Sequence, residues 1–437
     1  MSGYRNLHRE QLESCAIWNV TTSNLLLSSA TSSSGSGGLG YRIWTASADG
    51  TVRSYLAKEK SLEDTANAAV LDASNLSMTL THHFVGQSSS SSGEETKVAD
   101  NEATTGMASL GCTRVCVARN YAGEDESAGD LIVASLEMTG IVRLWLLPEN
   151  EDNQVATSDL SETMPNVLRP EQEFAVENAT GTGMLLCPPR WTGPGMDVSV
   201  AVCCLDGTVA QVSTGILTPQ RLVDASNSKD AKEATPAGTV LDRWGSRGSS
   251  IPMSIAWHPQ AKGVCAVGRQ NGQLDILTSS NTTDNNNQQK QRRHRLRFPG
   301  HDSENDAPIR AVTYTPDGAL LSAGNDAGML CIWDMSRAGA PPALVHHVVR
   351  AHSSWILDIT ALADSRRWAS CGADRKIHVW KVDQMYQPVH TFDSDQTVWT
   401  TDVTTHGGSG GGAAPKTSVR LAAGTETGVL QVLSLDG

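Results

Sequence analysis

His352, Asp374 and Ser370 are the residue types of a nucleophilic catalyst, in which an imidazole takes a hydroxyl proton while a carboxylate holds the ring. With the indole N–H of Trp380 the same groups can instead close one buried hydrogen-bond network, each polar atom satisfying another. Recurrence separates the two readings. A catalytic set occurs once, whereas the pattern around these residues returns along the chain, so all four are assigned to a structural network. Gly407-Gly408-Ser409-Gly410-Gly411 satisfies G-x-S-x-G only inside a glycine tract, without the strand–turn–helix a nucleophile needs. Neither a G-x-x-x-x-G-K-[ST] phosphate loop nor an H-E-x-x-H zinc helix is present. No residue is assigned to catalysis, to a metal or to a cofactor.

The elements that position these groups follow from periodicity. From Ala351 apolar and polar residues alternate through Trp355, Leu357 and Ile359, turn, alternate through Trp368 and Ser370, and after Asp374-Arg375 finish on Ile377, Val379 and Trp380. Period-two alternation cut by short polar turns predicts consecutive antiparallel strands. A His near the start and a Trp about thirty residues later is the WD-repeat pattern of a propeller blade. The turn recurs as Asp49-Gly50, Thr139-Gly140, Asp206-Gly207, Asn271-Gly272, Ala327-Gly328 and Thr427-Gly428, with Asp374-Arg375 as the variant. Six positions after each first turn residue stands Tyr55, Trp145, Val212, Leu277, Trp333, Trp380 or Leu433. Seven turns in one register predict an all-β, seven-bladed WD-repeat β-propeller.

Composition agrees with that fold. Charged residues are 19% and aromatics 5% of 437, with 39 Gly, which suits many short strands joined by loops. A net charge of −13 argues against direct nucleic-acid binding, since phosphate affinity comes mostly from Lys and Arg. Nine Cys without a CxxC pair imply neither zinc nor a disulfide framework. The N-terminus lacks a signal-peptide apolar run, and no apolar stretch is long enough to span a membrane. The expectation is a soluble intracellular protein, cytoplasmic with a second, nuclear location, that has no membrane partner.

The turns lie 47 to 90 residues apart, more than the ~40–45 of a blade. Low-complexity insertions at Leu27–Gly40, Gln87–Thr105, Pro148–Pro170, Asp224–Arg243, Ser279–Arg297 and His406–Thr417 account for the excess and are expected to be disordered loops. The blades are then drawn at about 10–57, 82–147, 172–213, 249–278, 296–336, 346–383 and 388–437 of a single domain. An unpaired last strand would be a liability, so residues 4–9 are expected to complete blade 7 and close the ring. Blade 1 has Glu13 where a His would stand, and blade 5 has His301 and Trp333 but Ala327 at the turn. Such blades are expected to rely on apolar packing instead.

AHSSWILDI (351–359), DRKIHVWKV (374–382), HTFDSDQTVW (390–399), GHDSENDAPIRAVTYTPDGALL (300–321) and REQLESCAIWNV (9–20) together resemble the WD-repeat subunit of the superkiller (Ski) complex, a family also associated with the Paf transcription complex in animals. Blades 2 and 3 match it poorly, with the family's blade-3 Trp missing near Thr180–Gly183. The resemblance implies a non-catalytic scaffold that docks on a tetratricopeptide-repeat subunit, which holds an RNA helicase, in support of exosome-linked 3′-to-5′ mRNA decay. It also implies a face that takes a short peptide with apolar and basic anchors.

Trp18, Trp355 and Trp399, with Arg310, are placed at the starts of innermost strands, around one mouth of the central channel. Trp and Arg carry a disproportionate share of interface energy, so the four are assigned to partner binding, against the alternative that the indoles merely fill space between blades. The basic run Gln289–Arg297 is read as a solvated loop in preference to a nuclear-import or RNA patch. Two other function classes use the same fold: a substrate-recruiting adaptor of a ubiquitin ligase or a histone-tail reader, and a propeller enzyme, which would need an acidic or metal cluster in the channel.

Overall fold

The computed structural model describes residues 4–24, 40–59, 76–84, 111–120, 130–148, 166–187, 197–217, 235–278, 293–300, 307–337, 341–407 and 417–435. Seven sheets, antiparallel except for one added strand in blade 1, follow one another along the chain and form a seven-bladed propeller. Blade 7 takes β1 (Tyr4–Gln11) as its outermost strand, and blade 1 holds β2 (Ile17–Asn24), β3 (Gly40–Ser47), β4 (Val52–Glu59) and β5 (Leu76–Phe84). Blade 2 holds β6 (Cys112–Asn120), β7 (Asp130–Glu137) and β8 (Ile141–Leu147). Next, β9 (Asn166–Leu168) returns to blade 1, pairing parallel with β5, and β10 (Gln172–Ala175) completes blade 2. Blade 3 holds β11 (Ala179–Leu186), β12 (Asp197–Cys204), β13 (Val209–Leu217) and β14 (Val240–Trp244). Blade 4 holds β15 (Pro252–Trp257), β16 (Val264–Arg269), β17 (Gln273–Thr278) and β18 (Arg293–Arg297). Blade 5 holds β19 (Ile309–Tyr314), β20 (Leu320–Asn325), β21 (Leu330–Asp334) and β22 (Ala343–Val348). Blade 6 holds β23 (Ile356–Ala361), β24 (Arg367–Gly372), β25 (Lys376–Lys381) and β26 (His390–Asp393). Blade 7 ends with β27 (Val398–Gly407), β28 (Thr417–Thr425) and β29 (Val429–Leu435).

The ring closes as expected from its edge problem. β1 runs antiparallel to β29 from Tyr4↔Leu435 to Gln11↔Val429, so the two ends of the chain share one sheet. The core is not one mass but seven slabs, one between each pair of adjacent blades. Blades 7 and 1, for example, meet through Ile17, Val20, Ile43, Tyr55, Ala422 and Leu430. Close approach there requires glycine at the inner end of the second strand. A Cβ on Gly324 would sit 2.5 Å from Ile356 Cγ2, and one on Gly424 would sit 2.5 Å from Ile17 Cγ2.

The seven turns share one backbone conformation. Gly50, Gly140, Gly207, Gly272, Gly328 and Gly428 have φ between 73° and 87°, and Arg375 takes the same left-handed turn at φ 64°. A side chain there costs about 1 kcal/mol that glycine avoids. Arg375→Gly is therefore expected to raise stability by about 1 kcal/mol, seen as a higher urea midpoint at unchanged slope. A lower midpoint would show that the Arg375 side chain stabilises the fold by more than its backbone strain costs.

Three expectations about the insertions change. Asn166–Leu168, most of Val240–Trp244 and Arg293–Arg297 fall within the expected loop insertions and are strands, each on the outer edge of a blade. An outermost strand buries one side at most, so its sequence is polar and merges with the low-complexity run beside it. The basic stretch Arg293–Arg297 is thus a paired strand of blade 4, with Arg295 opposite Asp275. The sheets are also offset from the sequence repeats by one strand, because 82–84 and 390–393 are the fourth strands of the preceding sheets. His301 and most of the inserted segments lie outside the described residues.

Candidate functional site

The structural network forms in blade 6. His352 Nδ1 donates to Asp374 Oδ1 at 2.9 Å, Ser370 Oγ donates to His352 Nε2 at 2.7 Å, and Trp380 Nε1 donates to Ser370 Oγ at 2.8 Å. Ser370 is fully buried, so this hydroxyl cannot meet a substrate. Burial would raise the Asp374 carboxyl, but its bonds from His352, Ser353 N and Lys376 N outweigh that and hold it below the usual carboxylate range. His378 lies alongside, and burial lowers it to about 4. His352, Asp374 and His378 are close enough to share an ion, yet both ring nitrogens of His352 are already bonded.

Blades without this set were expected to rely on apolar packing, and blades 1, 2 and 4 add charged networks of their own to it. In blade 1, Glu13 accepts from Thr45 Oγ1 at 2.5 Å, Arg53 Nη1 at 2.8 Å, Tyr55 Oη at 3.2 Å and Ser47 Oγ. Burial pushes the Glu13 carboxyl up, with Arg53 acting the other way. In blade 2, Arg143 bridges Glu137 and Glu173. In blade 4, Arg269 and Asp275 form a fully buried ion pair, and Arg269 Nη1 also donates to Gly207 O at 2.9 Å across the blade 3 boundary. Residues two before and four after the turn's first residue hold a pair in both blades, with the charges exchanged. Alternation hides such pairs because their long side chains occupy positions otherwise read as polar outward faces.

One device positions the channel mouth. In six inner strands the pairing slips by one residue near the strand's start, leaving Trp18, Thr113, Met253, Arg310, Leu357 and Trp399 as the extra residue. In blade 3 the interruption runs from Ala179 to Met184, where the tryptophan was judged missing. A β-bulge turns its side chain out of the alternation, and here all six line one cavity of about 310 Å³ with Arg114, Met138, Gly181 and Thr182.

Trp18, Arg310 and Trp399 therefore come together at one mouth. Trp355 does not hold the equivalent place. It precedes β23, is 46% exposed and stacks against Arg310 at 4.9 Å from guanidinium to ring centroid, while Leu357 takes the bulge. Arg310 is also not a free cation, since Asp326 accepts from its Nε at 2.7 Å and its Nη2 at 2.9 Å. The residues missed from the sequence are Thr113, Arg114, Met253 and Leu357. The signal was present: each bulged residue follows an Ile, Cys, Pro or Val that opens its inner strand, as in Ile17-Trp18 and Ile356-Leu357.

Below the mouth the channel opens into a space of about 660 Å³, where polar side chains tie one inner strand to the next. Asn19 Oδ1 accepts from Val115 N at 2.9 Å, Asp358 Oδ2 accepts from Thr400 Oγ1 and Thr401 N at 3.0 Å, and Asp402 Oδ2 accepts from Thr22 N at 2.6 Å. Burial raises the Asp402 carboxyl to about 6, against the hydrogen bonds from Thr22, and also raises Asp358. A carboxyl raised from about 4 to about 6 on folding favours the fold fully below pH 4 and loses that contribution as pH rises through 6. Asp402→Asn keeps an acceptor for Thr22 and abolishes the titration. It is expected to match the wild type near pH 4 and to be more stable by about 2–3 kcal/mol at pH 7, read from urea midpoints across that range. Parallel profiles would show that Asp402 is ionised throughout.

Residues 292–334 and 344–381 match the family model described as "WD domain, G-beta repeat", and both segments fall on the blades described above. The chain is a seven-bladed propeller in which two segments match the WD-repeat model. It is 30% identical over 94 residues to "Target of rapamycin complex subunit LST8" of Saccharomyces cerevisiae, covering 21% of this chain and 31% of that protein. It is 33% identical over 85 residues to "Target of rapamycin complex subunit wat1" of Schizosaccharomyces pombe, covering 19% and 26%. A third relative, "WD repeat-containing protein 91 homolog" of Dictyostelium discoideum, is 33% identical over 91 residues, or 21% and 11%. The matches span less than a third of each relative's length. WD-repeat propellers generally bind protein partners, and two of these relatives are named as subunits of a complex. No helix among the described residues is long and apolar enough to cross a membrane.

Proposed function

We propose that this propeller is a non-catalytic scaffold that holds a peptide segment of a partner subunit at the channel mouth. The observation that carries the reading is the set of six bulged residues around one cavity, two of them indoles beside methionine and leucine. A groove of that size accepts one or two side chains, and Trp supplies large area at low entropic cost. The assembly we favour is superkiller-like, on the resemblance carried by AHSSWILDI, DRKIHVWKV and HTFDSDQTVW. The propeller would then dock on a tetratricopeptide-repeat subunit that holds an RNA helicase, serve 3′-to-5′ mRNA decay in the cytoplasm, and serve a Paf-like complex in the nucleus. The second reading is a subunit of a target-of-rapamycin type complex, favoured by the names of two relatives.

Affinity purification of the tagged chain from its native cell, followed by mass spectrometry, separates these. A tetratricopeptide protein with a helicase supports the first reading, and a target-of-rapamycin kinase supports the second. A ubiquitin-ligase adaptor or a histone-bearing complex would replace both.

A further inference from the structure

The mouth has a charge that the apolar collar does not explain. On a chain of net charge −13, its cavity is lined, among the described residues, by two arginines and no carboxylate. Arg310 is neutralised by Asp326 at the rim. Arg114 has no such contact partner: it lines both the mouth and the channel below, its Nε donates to Thr182 O at 2.8 Å, and among the described residues its charge acts on Asp358 in the channel without a direct ion pair. The carboxylates deeper in the channel take their hydrogen bonds from other groups, and Arg114 acts on Asp358 only through its charge. Asp358 is held by Ile359 N, Thr400 Oγ1 and Thr401 N, and Asp402 by Thr21 and Thr22. Nearby, the Trp399 indole N–H is buried and has no acceptor among the described residues. The throat thus offers the Arg114 guanidinium and the Trp399 indole N–H under a collar of Trp18, Met253, Leu357 and Trp399.

Resting on the reading of the mouth as a docking site, we infer that its occupant is an acidic–apolar protein segment, in which a bulky apolar side chain fills the collar and a neighbouring carboxylate reaches Arg114. The basic anchor expected from the family resemblance would meet a cation here. Arg114 at the end of a partly enclosed cavity pairs with a carboxylate more strongly than an exposed arginine would, because less water screens the pair. Complementarity of this kind selects partners as much as it adds affinity.

A phage-displayed library of random peptides panned on the immobilised full chain tests this, followed by fluorescence polarisation of enriched peptides. The expected result is enrichment of sequences with Asp or Glu beside Trp, Phe, Leu or Met, bound more weakly at high salt. Exchanging that Glu for Gln in the peptide should weaken binding to the wild-type chain about tenfold, which requires no variant to fold. Arg114→Met should do the same while Trp399→Ala abolishes binding of every peptide. Enriched basic peptides that Trp399→Ala releases would overturn the acidic occupant and leave the docking site standing. Peptides indifferent to Trp399→Ala, or no enrichment at all, would sink both.

Discussion

Asp275→Ala is expected to lower the stability of the propeller by about 3–5 kcal/mol. The pair it breaks is completely enclosed, with Arg269 and Asp275 both at 0% side-chain exposure. Removing the carboxylate leaves a guanidinium in a site it cannot leave, because Arg269 also donates to Gly207 O and Ser250 O. Arg295 reaches Asp275 too, at 3.5 Å, but is 44% exposed and returns to solvent without cost. The effect should be read by urea unfolding, with the double variant Arg269→Met/Asp275→Leu as the comparison. Replacing both partners removes the stranded charge, so the double variant should recover more than half of the loss. If the double variant is as unstable as Asp275→Ala, the pair stabilises through its bonds to blade 3, not through charge compensation.

The second large effect is on binding. Trp18→Ala with Trp399→Ala should weaken capture of the native partner at least about 100-fold, since truncating central aromatic anchors costs about 2–4 kcal/mol each. Both indoles are only half-buried, so the thermal midpoint should move far less than for a core tryptophan such as Trp368, which is fully enclosed. Trp18 also lies over Gly111, where a Cβ would come within 2.4 Å of the ring. A loss of stability as large as that of Trp368→Ala, with binding retained by whatever remains folded, would make the two indoles blade filler. Trp355→Ala should have the smaller binding effect of the three, because Trp355 stands outside the cavity against Arg310.

The blade count was legible because it rests on backbone chemistry. Only a residue that tolerates positive φ can sit at the second position of each turn, and six glycines and Arg375 do. The His352–Ser370–Asp374–Trp380 set was legible for a related reason: its spacing is the length of two strands and their turn, so contact follows from local pairing. The outer strands Val240–Trp244 and Arg293–Arg297 were not legible, since an edge strand is stabilised by the neighbour it pairs with more than by its own pattern. Arg310 was placed at the mouth, but Asp326, which neutralises it, sits in the turn after the adjacent strand and could not be paired with it from the sequence.

The sequence by itself determined the ring of seven blades, its closure by the first strand and the blade 6 network, because each follows from turn geometry, strand period or local spacing. Only the tertiary structure decided which residues face the mouth and which charges are free there. A one-residue slip in pairing moves a side chain from one face of a strand to another without changing its composition, as Trp355 and Leu357 show. Whether Arg114 or Arg310 keeps its charge available depends on carboxylates that approach from other strands and other blades.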